Sequence, residues 1–245
     1  MKQTMLELND SSCDNTMQIG IDEAGRGPLL GRVYAAACLL PQNSELLRYS
    51  DIKDSKKFSS RDKIKEVATN IKENAIAWSV HYEDEKTVDR INILQATYAA
   101  MYKCTHDMIC KLKNKFSSVD YNSIILLIDG RYFTPTSHFI DGDIVSLSYK
   151  CIEKGDGKFM NIAAASILAK VARDDYVESL CVQFPLLDQI YRLRSNKGYG
   201  SKHHCEAIRE HGISQFHRQT FGICRNKPIT FFQCHSSHTT DLKDN

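Results

Sequence analysis

The sequence predicts an α/β fold, a mixed β-sheet flanked by helices and followed by a mostly helical C-terminal extension. Three observations carry this. Three strand-like segments occur early in the chain, and helix, strand, strand and helices then follow, an order that suggests a mixed sheet. A continuous apolar run, "SIILLIDG" at 123–130, then reads as a central strand buried on both faces. From Pro185 onward only short helical and loop patterns remain.

The elements follow in order. Residues 1–16 are polar and are expected to be disordered. A first strand covers 17–25, and a second, 32–40, follows a Gly-Pro turn. The polar loop "DIKDSKKFSS" (51–60) ends in Ser59 and Ser60, either a suitable N-cap for a helix to about Glu73. "AIAWSVHY" (75–82) alternates as a third strand does. Ile93, Ala96, Ala100, Cys104 and Met108 recur at helical spacing within 92–115. "DIVSLSYK" (143–150) alternates again and reads as one strand. Residues 161–184 form the clearest helix, with small side chains along one side that permit close packing. After Lys227 the tail turns polar and is expected to be disordered.

Composition excludes more than it assigns. At 245 residues, 42% hydrophobic and 25% charged, the chain can bury a sizeable core. A formal charge of +2 selects no partner by itself. The longest apolar run, 33–40, is too short to span a bilayer, and the N-terminal residues lack the apolar core of a secretory signal. Nine scattered cysteines without a C-x-x-C pair suit a reducing, cytoplasmic compartment.

The chemistry-bearing residues are acids at strand ends. "GIDE" and "LLID" are apolar runs that stop at Asp22, Glu23 and Asp129, each followed by glycine within two residues. "KGDGK" places Asp156 between glycines just before the strongest helix. Carboxylates converging in a partly buried cleft repel one another, and a bound dication removes the conflict. Hard oxygen ligands with open positions favour Mg²⁺ or Mn²⁺. Adjacent strand residues point to opposite faces, so Asp22 and Glu23 need a bulge or twist near Gly25 to serve one site.

Six segments in order, "GIDEAGRGPLLGRV", "DSKKFS", "INILQAT", "LLIDG", "KGDGKFMNIAAASILAKVARD" and "NKGYGSKHHCEAIREHGISQFHRQTF", resemble ribonuclease HII of the bacterial, single-chain type. The resemblance runs from about Ile19 to Phe221. It implies an RNase H-like catalytic domain at 17–184, a helical substrate-binding extension at 185–226 and a tail at 227–245. Asp22, Glu23, Asp129 and Asp156 match the family's four catalytic, metal-binding carboxylates. The implied reaction is two-metal hydrolysis on the 5′ side of ribonucleotides, in RNA–DNA hybrids or singly embedded in duplex DNA, leaving 3′-hydroxyl and 5′-phosphate. The implied role is ribonucleotide removal from DNA, by a monomer. A different nuclease on the same fold, or a non-catalytic hybrid-binding module, are the rival readings.

Gly25, Arg26 and Gly27 resemble the family's loop that reads the ribose 2′-hydroxyl, and Tyr199 of "KGYG" the tyrosine that packs on the following deoxyribose. Ser55, Lys56 and Lys57 of "DSKK", with Ser166 and Lys170 on the long helix, complete the substrate-contact candidates. Eight Lys or Arg against two acids between 192 and 227 could track a phosphate backbone. His217 and Arg218 could be structural or contact DNA. Phe231 and Phe232 sit where some relatives carry a sliding-clamp-binding motif, although the upstream glutamine and aliphatic residue are not at the expected offsets. Leu30, Arg32 and Phe58 depart from many relatives at non-catalytic positions and bear on turn geometry.

Overall fold

A computed structural model describes residues 6–13 and 16–234. By internal contacts the chain divides into one unit of Met1–Arg26 and Arg32–Arg173 and a second of Gly27–Gly31 and Asp174–Asn245. One boundary of the division, between Arg173 and Asp174, falls inside a helix, and the others bracket the Gly27–Gly31 loop.

The first unit is built on a five-stranded sheet. Strands β1 (Met17–Ala24), β2 (Val33–Leu39) and β3 (Ala77–Glu83) occupy the three early strand patterns and pair antiparallel in succession. Strand β4 (Ile124–Asp129) lies parallel to β1. The alternating stretch at 143–150 is not one strand. It divides into β6 (Asp143–Val145), which pairs with the short β5 (His138–Ile140) in a separate ribbon, and β7 (Ser148–Ile152), parallel to β4. The burial alternation persists through Val145 and Leu147 while the hydrogen-bonding partner changes, so periodicity could not reveal the break.

Helix α1 (Arg61–Asn74) is capped by Ser60, whose hydroxyl accepts from the Lys63 amide. Helix α2 (Glu85–Lys115) starts earlier than its periodicity suggests and is interrupted at Asn92, which has φ 65°. There the Asn92 side chain accepts from the amides of Leu94 and Gln95, recapping the segment that the sequence pattern identifies. Helix α3 (Met160–Gln183) is the long helix of the sequence.

Two apolar layers enclose the sheet. Ile19, Ile21, Ala35 and Ala37 pack with the α2 residues Met101, Cys104 and Met108 on one face. Ala36 and Cys38 pack with Ile64 and Ile71 of α1 and Ala164 and Leu168 of α3 on the other. The contact between β1 and α3 is unusually close, since a Cβ on Gly20 would stand 2.1 Å from the Asn161 carbonyl carbon. Asn161 is fully buried, and its Oδ1 accepts from the Leu40 amide at 2.8 Å. The expected disorder of residues 1–16 does not hold for the described part. Glu7 donates its amide to Lys158 O at 2.9 Å and accepts from the Met160 amide at 2.8 Å.

The second unit is a small helical assembly. Its core joins Leu30 of the Gly27–Gly31 segment to Val177 and Cys181 of α3, Leu187 and Tyr191 of α4 (Pro185–Tyr191), Leu193 of α5 (Leu193–Asn196) and Ile208 of α6 (Lys202–His211). Leu30, one of the departures from many relatives, therefore fills this core. Strands β8 (Ile213–Ser214) and β9 (Ile229–Thr230) pair parallel, so the expected disordered tail is ordered at least this far, and from 235 on it lies outside the described residues. Among the described residues no helix is long and apolar enough to cross a membrane.

Two outcomes test this packing. Gly20→Ala should destabilise the protein by about 3 kcal/mol or more, because both backbones at the contact resist displacement, and thermal unfolding reads it. In the second unit, burial and the neighbouring His204 push His217 down to about 3 from an ordinary 6.5. A base with a depressed folded value keeps its full stability above 6.5 and loses it as pH falls toward 3. The melting midpoint should therefore fall across that window, and His217→Gln should flatten the fall.

Candidate active site

The carboxyl ends of the parallel strands β1 and β4 carry the acids. Asp22 and Glu23 pair in register with Ala36 and Ala35, and the ladder continues unbroken to Ala24 opposite Tyr34. No bulge re-aims either side chain, contrary to the expectation from Gly25. The two remain on opposite faces, and the Glu23 carboxylate, at the end of its strand, still feels the charges of Asp129 and Lys56. Gly25 has a different task. With φ 90° it takes a left-handed conformation, and an added Cβ would lie 2.5 Å from Nε of the buried Arg173. Sequence reasoning passed over Arg173, because nothing local in "VARDD" distinguishes a buried arginine from a surface one.

Asp129 closes β4, and its Oδ1 accepts from the Gly155 amide at 2.6 Å. That bond ties β4 to the 3-10 turn Gly155–Gly157, which carries Asp156 into the start of α3. A Cβ on Gly155 would approach Ile162 Cδ1 to 2.6 Å, so that side chain would have to shift to admit it.

Asp22, Glu23 and Asp129 lie within one another's electrostatic reach. Burial, then the charges of Glu23 and Asp129, hold the Asp22 carboxyl well above the usual carboxylate range. Glu23 is raised by burial against the opposing pull of Arg26, whose NH1 lies 3.2 Å from Oε1. Asp129 is raised by burial and by Asp156, against the Gly155 hydrogen bond. Lys56 supplies positive charge, its Nζ 3.3 Å from Asp156 Oδ2. Among the described residues, no three His, Cys, Asp or Glu side chains converge tightly enough to hold one ion as they stand. The donor chemistry nevertheless fits a hard dication, because buried, mutually repelling carboxylates are what such an ion stabilises.

The serines prove to be internal. Ser55 and Ser166 are 4% and 5% exposed and their hydroxyls lie 2.8 Å apart. The Ser166 hydroxyl is also hydrogen-bonded to Asp22, so it donates to the carboxylate and accepts from Ser55. This chain fixes the 3-10 turn Ser55–Lys57 against α3, with Lys56 80% exposed at the side chain and Lys57 exposed beside it. Lys170 is half-buried, one helical turn beyond Ser166.

In the second unit, Tyr199 is 51% exposed, and a Cβ added to Gly27 would lie 3.5 Å from its ring Cε1. The basic tract is partly committed elsewhere. Arg218 is fully buried, and Lys197 and Arg194 lie 2.6 Å and 3.5 Å from Glu178 oxygens. His217 is fully buried too, which makes it a structural residue.

The family model for ribonuclease HII matches residues 19–224. A ribonuclease HII from Parabacteroides distasonis is 40% identical over 207 residues, covering 84% of this chain and 90% of the relative. One from Nostoc sp. strain PCC 7120 is 41% identical over 210 residues, covering 85% and 83%. Among solved structures, the PCNA:RNase HII complex from Archaeoglobus fulgidus superposes with a TM-score of 0.59 at 23% identity, covering 86% of this chain and 98% of that one, a likeness of fold.

The raised Asp22 carboxyl has a consequence for stability. An acid whose folded value is raised favours folding as pH falls, and its ionised form at neutral pH opposes folding. In EDTA at pH 7.5, Asp22→Asn should raise the melting midpoint, by about 2–4 °C per kcal/mol of repulsion relieved. It should also shrink the further rise that Mg²⁺ produces. An unchanged or lower midpoint in EDTA would contradict the buried-charge account.

Proposed function

This chain belongs to the ribonuclease HII family of metal-dependent nucleases, and from that premise we propose that it cleaves DNA duplexes at embedded ribonucleotides as well as RNA–DNA hybrids. The bond cut is the phosphodiester on the 5′ side of the ribonucleotide, giving a 3′-hydroxyl and a 5′-phosphate. The observation that carries the reading is that Asp22, Glu23 and Asp129 lie in one another's fields, while the Gly155 amide bonded to Asp129 brings the charge of Asp156 beside them.

These four carboxylates would hold two Mg²⁺ or Mn²⁺ ions, which supply an activated water and stabilise charge on the leaving 3′-oxygen. The chain's own groups do the rest. The Ser166 hydroxyl orients Asp22 and partly offsets the cost of its ionisation, and the Gly155 amide does the same for Asp129. Lys56 and Lys57 meet phosphates at an exposed turn that Ser55 anchors, so Ser55 and Ser166 serve substrate binding indirectly. Lys170 is a further phosphate contact. Gly25 and Gly27 let main chain approach the ribose, whose 2′-hydroxyl both donates and accepts. Arg26 orients Glu23 and can exchange that partner for a phosphate. The exposed Tyr199 ring would pack on a deoxyribose, a surface that favours a sugar lacking the hydroxyl.

The cell compartment is a reducing one, in keeping with nine free thiols. A sliding-clamp contact through the C-terminal segment would use Phe231, which is exposed while Phe232 is drawn into the core of its unit.

A labelled DNA duplex holding one ribonucleotide, an all-DNA duplex and a long hybrid, each with Mg²⁺, Mn²⁺ or EDTA, test the proposal. Cutting one bond 5′ of the ribonucleotide with either metal, none in EDTA and none of all-DNA, is the expected pattern. Cleavage of all-DNA, or metal-independent cleavage, would refute it. Asp22→Asn should lower the rate about 10³-fold or more. Tyr199→Ala should slow cutting at the single ribonucleotide about tenfold more than in the hybrid, the worth of one stacked contact.

A further inference from the structure

A buried chain of neutral hydrogen bonds in the second unit ends on the tyrosine proposed to read the substrate. The His204 Nδ1 lies 2.8 Å from the Tyr199 carbonyl oxygen, which can only accept, so Nδ1 carries the proton. His204 Nε2 is then an acceptor, and it lies 3.0 Å from His217 Nε2, which must donate. His217 Nδ1 is left to accept, and it does so from the Ser214 amide at 2.9 Å and hydroxyl at 2.8 Å. Every polar atom of the two rings is matched in a single tautomer each, with both imidazoles neutral. His204 and His217 are fully buried.

The next residue in sequence grips the other candidate reading element. Arg218, fully buried, donates from Nε to Gly31 O at 2.8 Å and from NH1 to Pro28 O at 2.9 Å. Its amide donates to Leu29 O at 2.8 Å, and the Leu29 amide donates to Gly198 O at 2.8 Å. The segment Gly27–Gly31 and the turn carrying Tyr199 are therefore laced together and anchored on His217-Arg218. The tyrosine's main chain is held from within while half of its side chain stays exposed.

We infer that His204, His217 and Arg218 are positioning residues for substrate discrimination: they set the Tyr199 ring beside Gly27 for a ribonucleotide-to-deoxyribonucleotide step, without touching nucleic acid. The inference rests on the reading of Tyr199 and Gly27 given under Proposed function. A displaced ring loses its stacking on one sugar while the acids of the first unit are untouched, so discrimination falls more than turnover.

The test uses two isosteric replacements of His217. In His217→Asn the amide oxygen takes the place of Nδ1 and keeps the Ser214 bonds, but nothing reaches His204. In His217→Gln the amide nitrogen takes the place of Nε2 and still donates to His204. The readout is the ratio of kcat/KM for the single ribonucleotide to that for the long hybrid, with kcat and KM resolved for each. Taken within one preparation, the ratio cancels any loss of folded protein. His217→Asn should lower the ratio about tenfold, mainly through KM for the single ribonucleotide, and His217→Gln should restore most of it. On a Tyr199→Ala background His217→Asn should have no further effect on the ratio.

If Tyr199→Ala itself leaves the ratio unchanged, the reading of Tyr199 fails and takes this inference with it. If Tyr199→Ala lowers the ratio but His217→Asn does not, or Gln and Asn act alike, the reading survives and the inference is overturned. Should His217→Asn yield no soluble enzyme, Arg218→Lys, whose single ammonium cannot serve both carbonyls, carries the same expectation and the same refutation.

Discussion

Buried negative charge is the constraint around which the first unit is arranged. Asp22, Glu23 and Asp129 sit where burial and one another's fields disfavour ionisation, and every nearby device moderates that cost without abolishing it. Arg26 faces Glu23, Lys56 faces Asp156, an amide faces Asp129 and a hydroxyl faces Asp22. Each partner is partial, so the cluster stays under-compensated and receptive to hard cations. A protein optimised for stability alone would have neutralised it.

The scaffold accepts that cost because its backbone contacts leave the acids little freedom to separate. The near-contact of Gly20 with Asn161 brings the start of α3 down on β1, and Gly155 brings the preceding turn onto Ile162 and Asp129. These approaches depend on absent side chains. They place Ser166 and Asp156, contributed by α3 and the turn before it, beside acids contributed by the sheet. The second unit solves its positioning problem differently, with neutral donors matched to neutral acceptors through Ser214, His217 and His204. No charge is buried in that chain, so its order does not await a ligand.

Much of this was legible in the sequence, and the exceptions share a cause. The strands carrying Asp22 and Asp129 near their ends, the Ser60 cap and the helix after Asn92 all follow from patterns a few residues long. The hydrogen bond between Ser55 and Ser166 spans 111 residues and leaves no local mark in the sequence. His217 and Arg218, in a stretch rich in basic residues, read equally as nucleic-acid contacts, and only burial decides that their donors turn inward. The split of 143–150 into two strands was hidden because alternation reports which face is buried and is silent about which strand lies alongside.

The amino-acid sequence by itself determined the chemical inventory: which segments are strands or helices, where carboxylates terminate them, and which loops are glycine-rich. Propensity, capping and periodicity act within one or two turns of chain, and so can be read there. Tertiary structure alone decided which of these groups meet. It set the acids in one another's fields, joined two distant serines through their hydroxyls, and turned a histidine–arginine pair inward. Burial and long-range hydrogen bonding depend on atoms brought together from distant positions, and no short stretch of sequence contains that information.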